Sequence, residues 1–432
     1  MPTNGARPRG PRGTPADAEP DACTRAEARI TPTPEPLWPA LEWETLPWRS
    51  SYPANLLGRS ARAQLSEPYA AAITPRIADL EVRLPRATAS AAEEASNLIR
   101  EFDTEVGGEL APFAAILLRT ESASSSEIEN LTSGAKQIAL AELGEDARPN
   151  ATQIVGNVEA MRAAIALSAD LSADNILAMH RALVERFEPD TGGKWRREQV
   201  WIGGGRISPH HASFVPPHAA RVPAAIDDLV AFAHRDDIPA LPHAAVAHAQ
   251  FETIHPFPDG NGRTGRALIH AMLRNRALTR NVTVPVSAGL LTDTRSYFAA
   301  LMAYRDGDVA PIVDAMADAA AASIVNGRTL VADLRAAREE WVGKVKARSD
   351  SAVWPLMDLA LRQPVVNTAV VQAELGISHT NAMKAIGRLV EVGALTETGG
   401  RRRSILWQAN EVLSSLDAFA VRAGRRQFGD SG

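Results

Sequence analysis

The spacing of hydrophobic positions changes several times along the chain, and each change marks an element. Residues 1–36 hold proline, glycine and charge with little to bury, which predicts a disordered tail. Leu37, Trp38, Leu41, Trp43, Leu46 and Trp48 open the ordered part; their wide spacing suggests anchors that dock an irregular segment on the core. Helical periodicity over 53–142 then defines an N-terminal helical region over 37–150. Residues 154–187 give two more helices, the second capped by Asp174. Helical spacing returns over 226–233, 243–253, 266–278, 296–302 and 309–324, so a mostly α domain is expected over 151–325. Inside it, 199–205 and 212–217 are short extended segments around a glycine and histidine turn, the grammar of a hairpin. A charged helix over 329–348, with Glu339, Glu340, Lys344 and Lys346, predicts a linker over 326–349. Beyond it, 353–361, 368–374 and 378–392 read as three helices, and 393–397 with 401–407 as a closing hairpin.

The C-terminal order resembles a winged helix, a helix-turn-helix with a basic wing, over 350–432. Ser378 then caps the recognition helix, Lys384 faces outward, and Arg401, Arg402 and Arg403 form the wing, making these four the candidate DNA contacts. Protein docking is the other use of such a module. The fold expected is therefore mainly α, a helical bundle with a β-hairpin flap followed by a C-terminal winged helix-turn-helix domain.

Composition narrows the setting. With 432 residues, 45% hydrophobic and 22% charged, the chain has the balance of a soluble globular protein of two or three domains. A net charge of −5 predicts no wholesale attraction to nucleic acid or membrane. The single cysteine, Cys23, excludes an intrachain disulfide framework and fits a reducing cytoplasm. No apolar run approaches the roughly 20 residues of a membrane span, and residues 1–20 lack the apolar core of a signal peptide. A cytoplasmic location is expected.

The chemistry concentrates in His255-Pro256-Phe257-Pro258-Asp259-Gly260-Asn261-Gly262-Arg263-Thr264-Gly265-Arg266. Pro256 and Pro258 cannot continue the preceding helix, so a loop is forced. Gly260 and Gly262 let backbone amides approach a ligand at the mouth of the next helix, which makes an anion site. Arg263 and Arg266, three residues apart, can grip one polyanion. Asp259 offers the hard oxygen that Mg²⁺ wants beside a nucleotide triphosphate, and His255 is the natural base toward an incoming hydroxyl. Transfer of a phosphorus-containing group is the reaction class. His210 and His211 read as turn residues, since no pattern completes a zinc set.

This loop resembles the signature of the Fic family, H-x-F-x-[DE]-G-N-G-R-x-x-R, and every fixed position is met. The resemblance implies a Fic-type helical bundle in which His255 is the catalytic base and Phe257 anchors the loop. It makes Asp259 the metal ligand, Gly260, Asn261 and Gly262 the phosphate cradle, and Arg263 and Arg266 the triphosphate clamp. It further implies a protein adenylyltransferase that uses ATP and Mg²⁺, because relatives that phosphorylate have lysine where Gly262 stands. The hairpin would be the flap that docks the target, through Ile202, Gly203, Phe214 and Val215; merely covering core is its alternative. Tyr297 could line the adenine pocket or pack in the core.

Ser125-Ser126-Glu127-Ile128-Glu129-Asn130 resembles the family's inhibitory motif, [ST]-x-x-x-E-[GN], with Ser125, Glu129 and Asn130 at the fixed positions. A Glu129 carboxylate paired with Arg266 would occupy the arginine that the γ-phosphate needs, leaving ATP in a nonproductive pose. The same residue could help water remove AMP from a modified target, and release of such a helix is often tied to assembly, so a homo-oligomer is an open partner. Three functions stay in view: an autoinhibited adenylyltransferase of protein Ser, Thr or Tyr hydroxyls; a DNA-binding regulator with a nucleotide-sensing, catalytically weak Fic domain; and a scaffold working through winged helix and flap.

Overall fold

The computed structural model describes residues 38–48, 67–108, 112–145, 147–204, 207–399 and 405–424. The expected tail, Leu37, residues 53–66 and the wing arginines Arg401, Arg402 and Arg403 lie outside the described residues. Within them the chain runs through fifteen α-helices and five short strands. The mainly α fold holds. No helix among them is long and apolar enough to cross a membrane.

Helix α7 (Ala240–Ile254) is the centre, and its sequence dictates that place. Every residue from Leu241 to Ile254 is buried, so no face is left for water. Its polar side chains find partners inside: Gln250 donates to the Pro75 carbonyl at 3.0 Å and accepts from the Tyr304 hydroxyl at 2.9 Å, while His243 Nε2 meets the Phe232 carbonyl at 2.8 Å. Helix α8 (Asn261–Asn275) follows and packs along α7. Around this pair stand α1 (Arg86–Gly107), α2 (Pro112–Ile128), α3 (Ala135–Glu142), α4 (Pro149–Ala166), α5 (Ala173–Val184), α6 (Val222–Ala233), α9 (Val286–Thr292) and α10 (Thr294–Arg305). Ser172 caps α5 by accepting from the Asn175 amide, so Asp174 sits in the first turn and is not the cap.

Helix α11 (Ala310–Lys344) is one continuous element of 35 residues, about 52 Å long. Periodicity had predicted two helices with a break near Asn326. Buried residues continue without interruption through Ser323, Ile324, Gly327, Leu330, Val331, Leu334, Ala337 and Trp341, and this unbroken stripe joins the two expected helices into one. Beyond it come α12 (Val353–Arg362), β3 (Val365–Asn367), α13 (Thr368–Leu375), α14 (His379–Glu391), β4 (Thr396–Thr398), β5 (Leu406–Gln408) and α15 (Asn410–Arg422). The strands form an antiparallel sheet of order β3-β5-β4, with Trp407 opposite both Val366 and Glu397. Ser378 caps α14 as expected, accepting from the Asn381 amide at 3.4 Å.

Two expectations fail in the N-terminal part. Trp43 and Leu46 lie in a regular strand, β1 (Glu42–Leu46), which pairs antiparallel with β2 (Tyr69–Ile73). Tyr69-Ala70-Ala71-Ala72-Ile73 reads as helix from its alanines, but pairing and burial of Ala71 and Ala72 decide for strand. Trp38 does act as an anchor, buried with its ring 5.8 Å from Tyr304.

Phe102 of α1 is fully buried and lies against Gly327 of α11. Phe102→Ala should therefore lower the unfolding free energy by about 3–5 kcal/mol, measured by urea denaturation of the full chain; a change under about 1 kcal/mol would show that this contact does not hold the bundle.

Candidate active site

The loop between α7 and α8 is built from backbone outward. His255 ends α7 in the left-handed region, φ 50°, with its amide still donating to the Phe251 carbonyl at 2.9 Å. Gly260 is left-handed too, φ 79°, and a Cβ there would press on Leu183; α8 then starts at Asn261, five residues before the expected Arg266. Between them Asn261 closes the loop on itself. Its Oδ1 accepts from the Phe257 amide at 2.8 Å and its Nδ2 donates to the Phe257 carbonyl at 2.9 Å. The Asn261 side chain thus holds the loop's shape.

Phe257 is fully buried and stacks on His180 with ring centroids 3.7 Å apart, with Trp195 at 5.0 Å. The Gly193 amide donates to His180 Nδ1 at 3.1 Å, so Nε2 carries the proton and donates to the Asp259 carbonyl at 3.1 Å. Burial pushes His180 down to about 4, which keeps this relay neutral. Arg196 grips the loop's first half: its amide donates to the Pro256 carbonyl at 2.9 Å and its Nε to the His255 carbonyl at 2.8 Å. Sequence reasoning had singled out none of His180, Trp195 and Arg196. His180 is masked by its place on the apolar face of α5 beside Ile176, Met179 and Leu183.

The charged groups follow from this frame. The His255 ring keeps 19% of its side chain exposed, and burial, with Arg196 and Arg305 nearby, pushes it down to about 4. It is neutral and proton-accepting at physiological pH. Glu252 Oε2 lies 3.9 Å from His255 Nδ1, and burial pushes the Glu252 carboxyl up to about 7. Arg263 is buried and reaches Asp259 at 3.3 Å through Nη2, while its Nε and Nη1 have no partner among the described residues. Such an orphaned guanidinium fits a phosphate. Asp259 keeps 65% of its side chain exposed, which leaves its carboxylate open to the solvent side of the loop. Among the described residues there is no group of three His, Cys, Asp or Glu that could hold a metal ion.

Arg266 is 1% exposed and is met from α2. Its Nε donates to Ser125 Oγ at 2.9 Å, and its Nη2 to the Ser125 carbonyl at 2.7 Å and to Glu129 Oε1 at 2.8 Å. Burial opposes the charge, but Glu129, Tyr297 and Glu252 together outweigh it and hold the guanidinium above its ordinary range. Asn130 turns the chain after α2 with φ 62°, the left-handed conformation that asparagine and glycine tolerate best. A Cβ on Gly262 would overlap Glu129 Oε1, so glycine at 262 is what lets this carboxylate come in. One turn along α8, His270 Nε2 lies 2.7 Å from the buried Glu121 Oε1 and ties the same two helices again.

The flap is one bridge, between Ile202 and Phe214, where two short strands were expected. Its other side is backed by β2, whose Ala72 amide donates to the Val215 carbonyl at 3.0 Å. Gly203, φ 73°, begins the turn. Phe214 is buried under Arg305, whose guanidinium lies 3.6 Å over the ring. Tyr297 is buried with its hydroxyl 2.7 Å from His248 Nε2, in the layer beneath Arg266. Lys384 is on the exposed side of α14, far along the chain from this site.

Comparison with known proteins agrees with this geometry. Residues 170–273 match the model of the Fic/DOC family. Proteins described as "Protein adenylyltransferase Fic" from Drosophila yakuba and Drosophila melanogaster are each 31% identical over 169 residues, 38% of this chain and 32% of each relative. The match therefore spans about a third of those relatives' length. A crystal structure of a Fic family protein from Desulfovibrio desulfuricans superposes with a TM-score of 0.50 at 22% identity, over 78% of this chain and 98% of that one, which shows the fold. Residues 170–273, which carry the loop and the helices on either side of it, are thus the part of the chain that is similar to the Fic/DOC family.

Proposed function

We propose that the protein transfers AMP from ATP to a Ser, Thr or Tyr hydroxyl of a target protein, and that Glu129 holds it inactive until the pair with Arg266 opens. The observation that carries the gate is the 2.8 Å bond from the buried Arg266 to Glu129. Relatives described as protein adenylyltransferases support the chemistry.

The mechanism follows from the side chains. His255, neutral, takes the proton of the target hydroxyl as that oxygen forms a bond to the α-phosphorus; the bond to the bridging oxygen breaks and pyrophosphate leaves. Arg263 and Arg266 bind the departing phosphates, and Glu252 beside His255 steadies the imidazolium once Glu252 is ionised. Asp259 would hold Mg²⁺, which when bound would supply charge neutralisation at the phosphates. The bridge Ile202–Phe214 presents backbone next to the loop, and docking of the target by main-chain pairing suits an enzyme that reads few side chains.

A second assignment concerns α14. Ala382, Ala385, Ile386 and Leu389 are buried while His379, Thr380, Asn381, Lys384 and Arg388 are exposed, so one polar, basic face is free to enter a DNA groove.

Three outcomes are expected. Glu129→Gly should raise self-labelling by radiolabelled ATP by about tenfold or more, as loss of one charge-assisted bond allows, and adding His255→Ala should cut it by about 10²–10⁴-fold; unchanged labelling in Glu129→Gly would end the gate. Glu252 is raised above its ordinary value of 4.5, so its contribution to stability is complete below about 4.5 and is lost as pH rises through about 7. The melting temperature of the wild type should consequently fall between pH 5 and 8 relative to Glu252→Gln, and parallel curves would remove the charge from that account. Duplex DNA should be retarded by the full chain at low salt, less so by Lys384→Ala, with affinity falling steeply as salt rises; no shift at low salt would leave α14 to a protein partner.

A further inference from the structure

The proposed inhibitory carboxylate stands at the end of α2, a helix packed both by the catalytic helices and by α12 and α15 of the C-terminal part. α2 finishes at Ile128, Glu129 and Asn130 turn the chain, and after four intervening residues Ala135 begins α3. The N-cap of α3 is Gly134, which offers no side-chain oxygen. The missing acceptor comes from the far end of the chain: Asp417 Oδ1 on α15 accepts from the Ala135 amide at 3.1 Å. Lys136 next donates to Thr398 Oγ1 of β4 at 2.8 Å. One turn on, Gln363 at the end of α12 donates to the Ala139 carbonyl at 3.1 Å. Its Oε1 accepts from Arg119 of α2 at 3.3 Å, and Arg119 in turn grips Glu142 of α3 at 2.6 Å. Leu416 and Phe419 of α15 line the same cleft as Leu131, Ala135 and Ile138.

We propose that the C-terminal unit, residues 353–424, keeps the gate closed, with Asp417 as a positioning residue for Glu129. By capping α3 from α15 it fixes the short turn that delivers the carboxylate to Arg266, so anything that shifts α15 relative to α3 loosens the inhibitory pair. The same unit presents the exposed face of α14. A partner bound there has a mechanical path to the active loop through α12, on which α14 packs, then Gln363, α3 and the turn at Asn130. This rests on Glu129 being inhibitory, and the experiment separates the two ideas.

Full-length wild type, Asp417→Ala, Asp417→Asn, Glu129→Gly and the double variant Asp417→Ala with Glu129→Gly would be compared by self-labelling with radiolabelled ATP and by hydrogen exchange of amides 131–138. Asp417→Ala should raise labelling by about 3- to 10-fold and speed exchange in that segment. Asp417→Asn keeps a capping oxygen and should stay near wild type in both. In the Glu129→Gly background Asp417→Ala should add nothing, because the gate is already open. Lys136→Ala, which removes only the Thr398 contact, should move labelling the same way by a smaller factor and covers the case in which Asp417→Ala fails to fold. Wild-type labelling in both Asp417→Ala and Lys136→Ala while Glu129→Gly labels, or a further rise in the double variant, would overturn the proposal. Labelling of Glu129→Gly no higher than wild type would end the gate itself, and the exchange rates would still report whether Asp417 holds the turn: faster exchange in Asp417→Ala alone supports the cap, equal exchange refutes it.

Discussion

A guanidinium that is 1% exposed must have partners, and for Arg266 of α8 the end of α2 supplies them. Ser125 and Glu129 take its Nε and Nη2 donors in the structure. In the proposed reaction a phosphate takes the place of Glu129. The two occupants compete for the same donors, and a carboxylate with 39% of its side chain exposed is held weakly enough for the exchange to occur. Gly262 serves both, since any side chain there would exclude the carboxylate from the helix mouth.

The loop itself is rigid before any ligand arrives. Asn261 ties both backbone groups of Phe257, Arg196 pins the carbonyl of His255, and His180 fixes the Asp259 carbonyl from below. The Asn261 bonds close the loop on itself, while Arg196 and His180 fix it to the surrounding chain, so loop and bundle together set the positions of the imidazole and the amides. That is the preorganisation which electrostatic catalysis requires.

Much of this site was legible in the sequence, because proline, glycine and charge act locally there. Pro256 and Pro258 break the helix wherever the chain goes, and Gly260 announces its left-handed turn. Ser125, Glu129 and Arg266, 141 residues apart at the extremes, came together as the resemblance implied. What stayed hidden depends on tertiary contact. His180 looks like one more residue on an apolar helix face, and Arg196 like ordinary surface charge. Tyr69 to Ile73 carry alanines that favour helix in isolation and become strand only because Glu42 to Leu46 pair with them. The cap of α3 could not be read at all, since donor and acceptor lie 282 residues apart.

The single helix α11 bears on how such a protein can be diversified. It runs from the catalytic bundle into the region where Trp341 meets Glu411 and Asn326 meets Phe419, without a flexible joint. Adding one residue within it would rotate everything downstream by about 100° and swing α15 off its seat. Grafting a foreign sensor onto this catalytic half would therefore have to respect helical phase, with insertions tolerated in steps of whole turns.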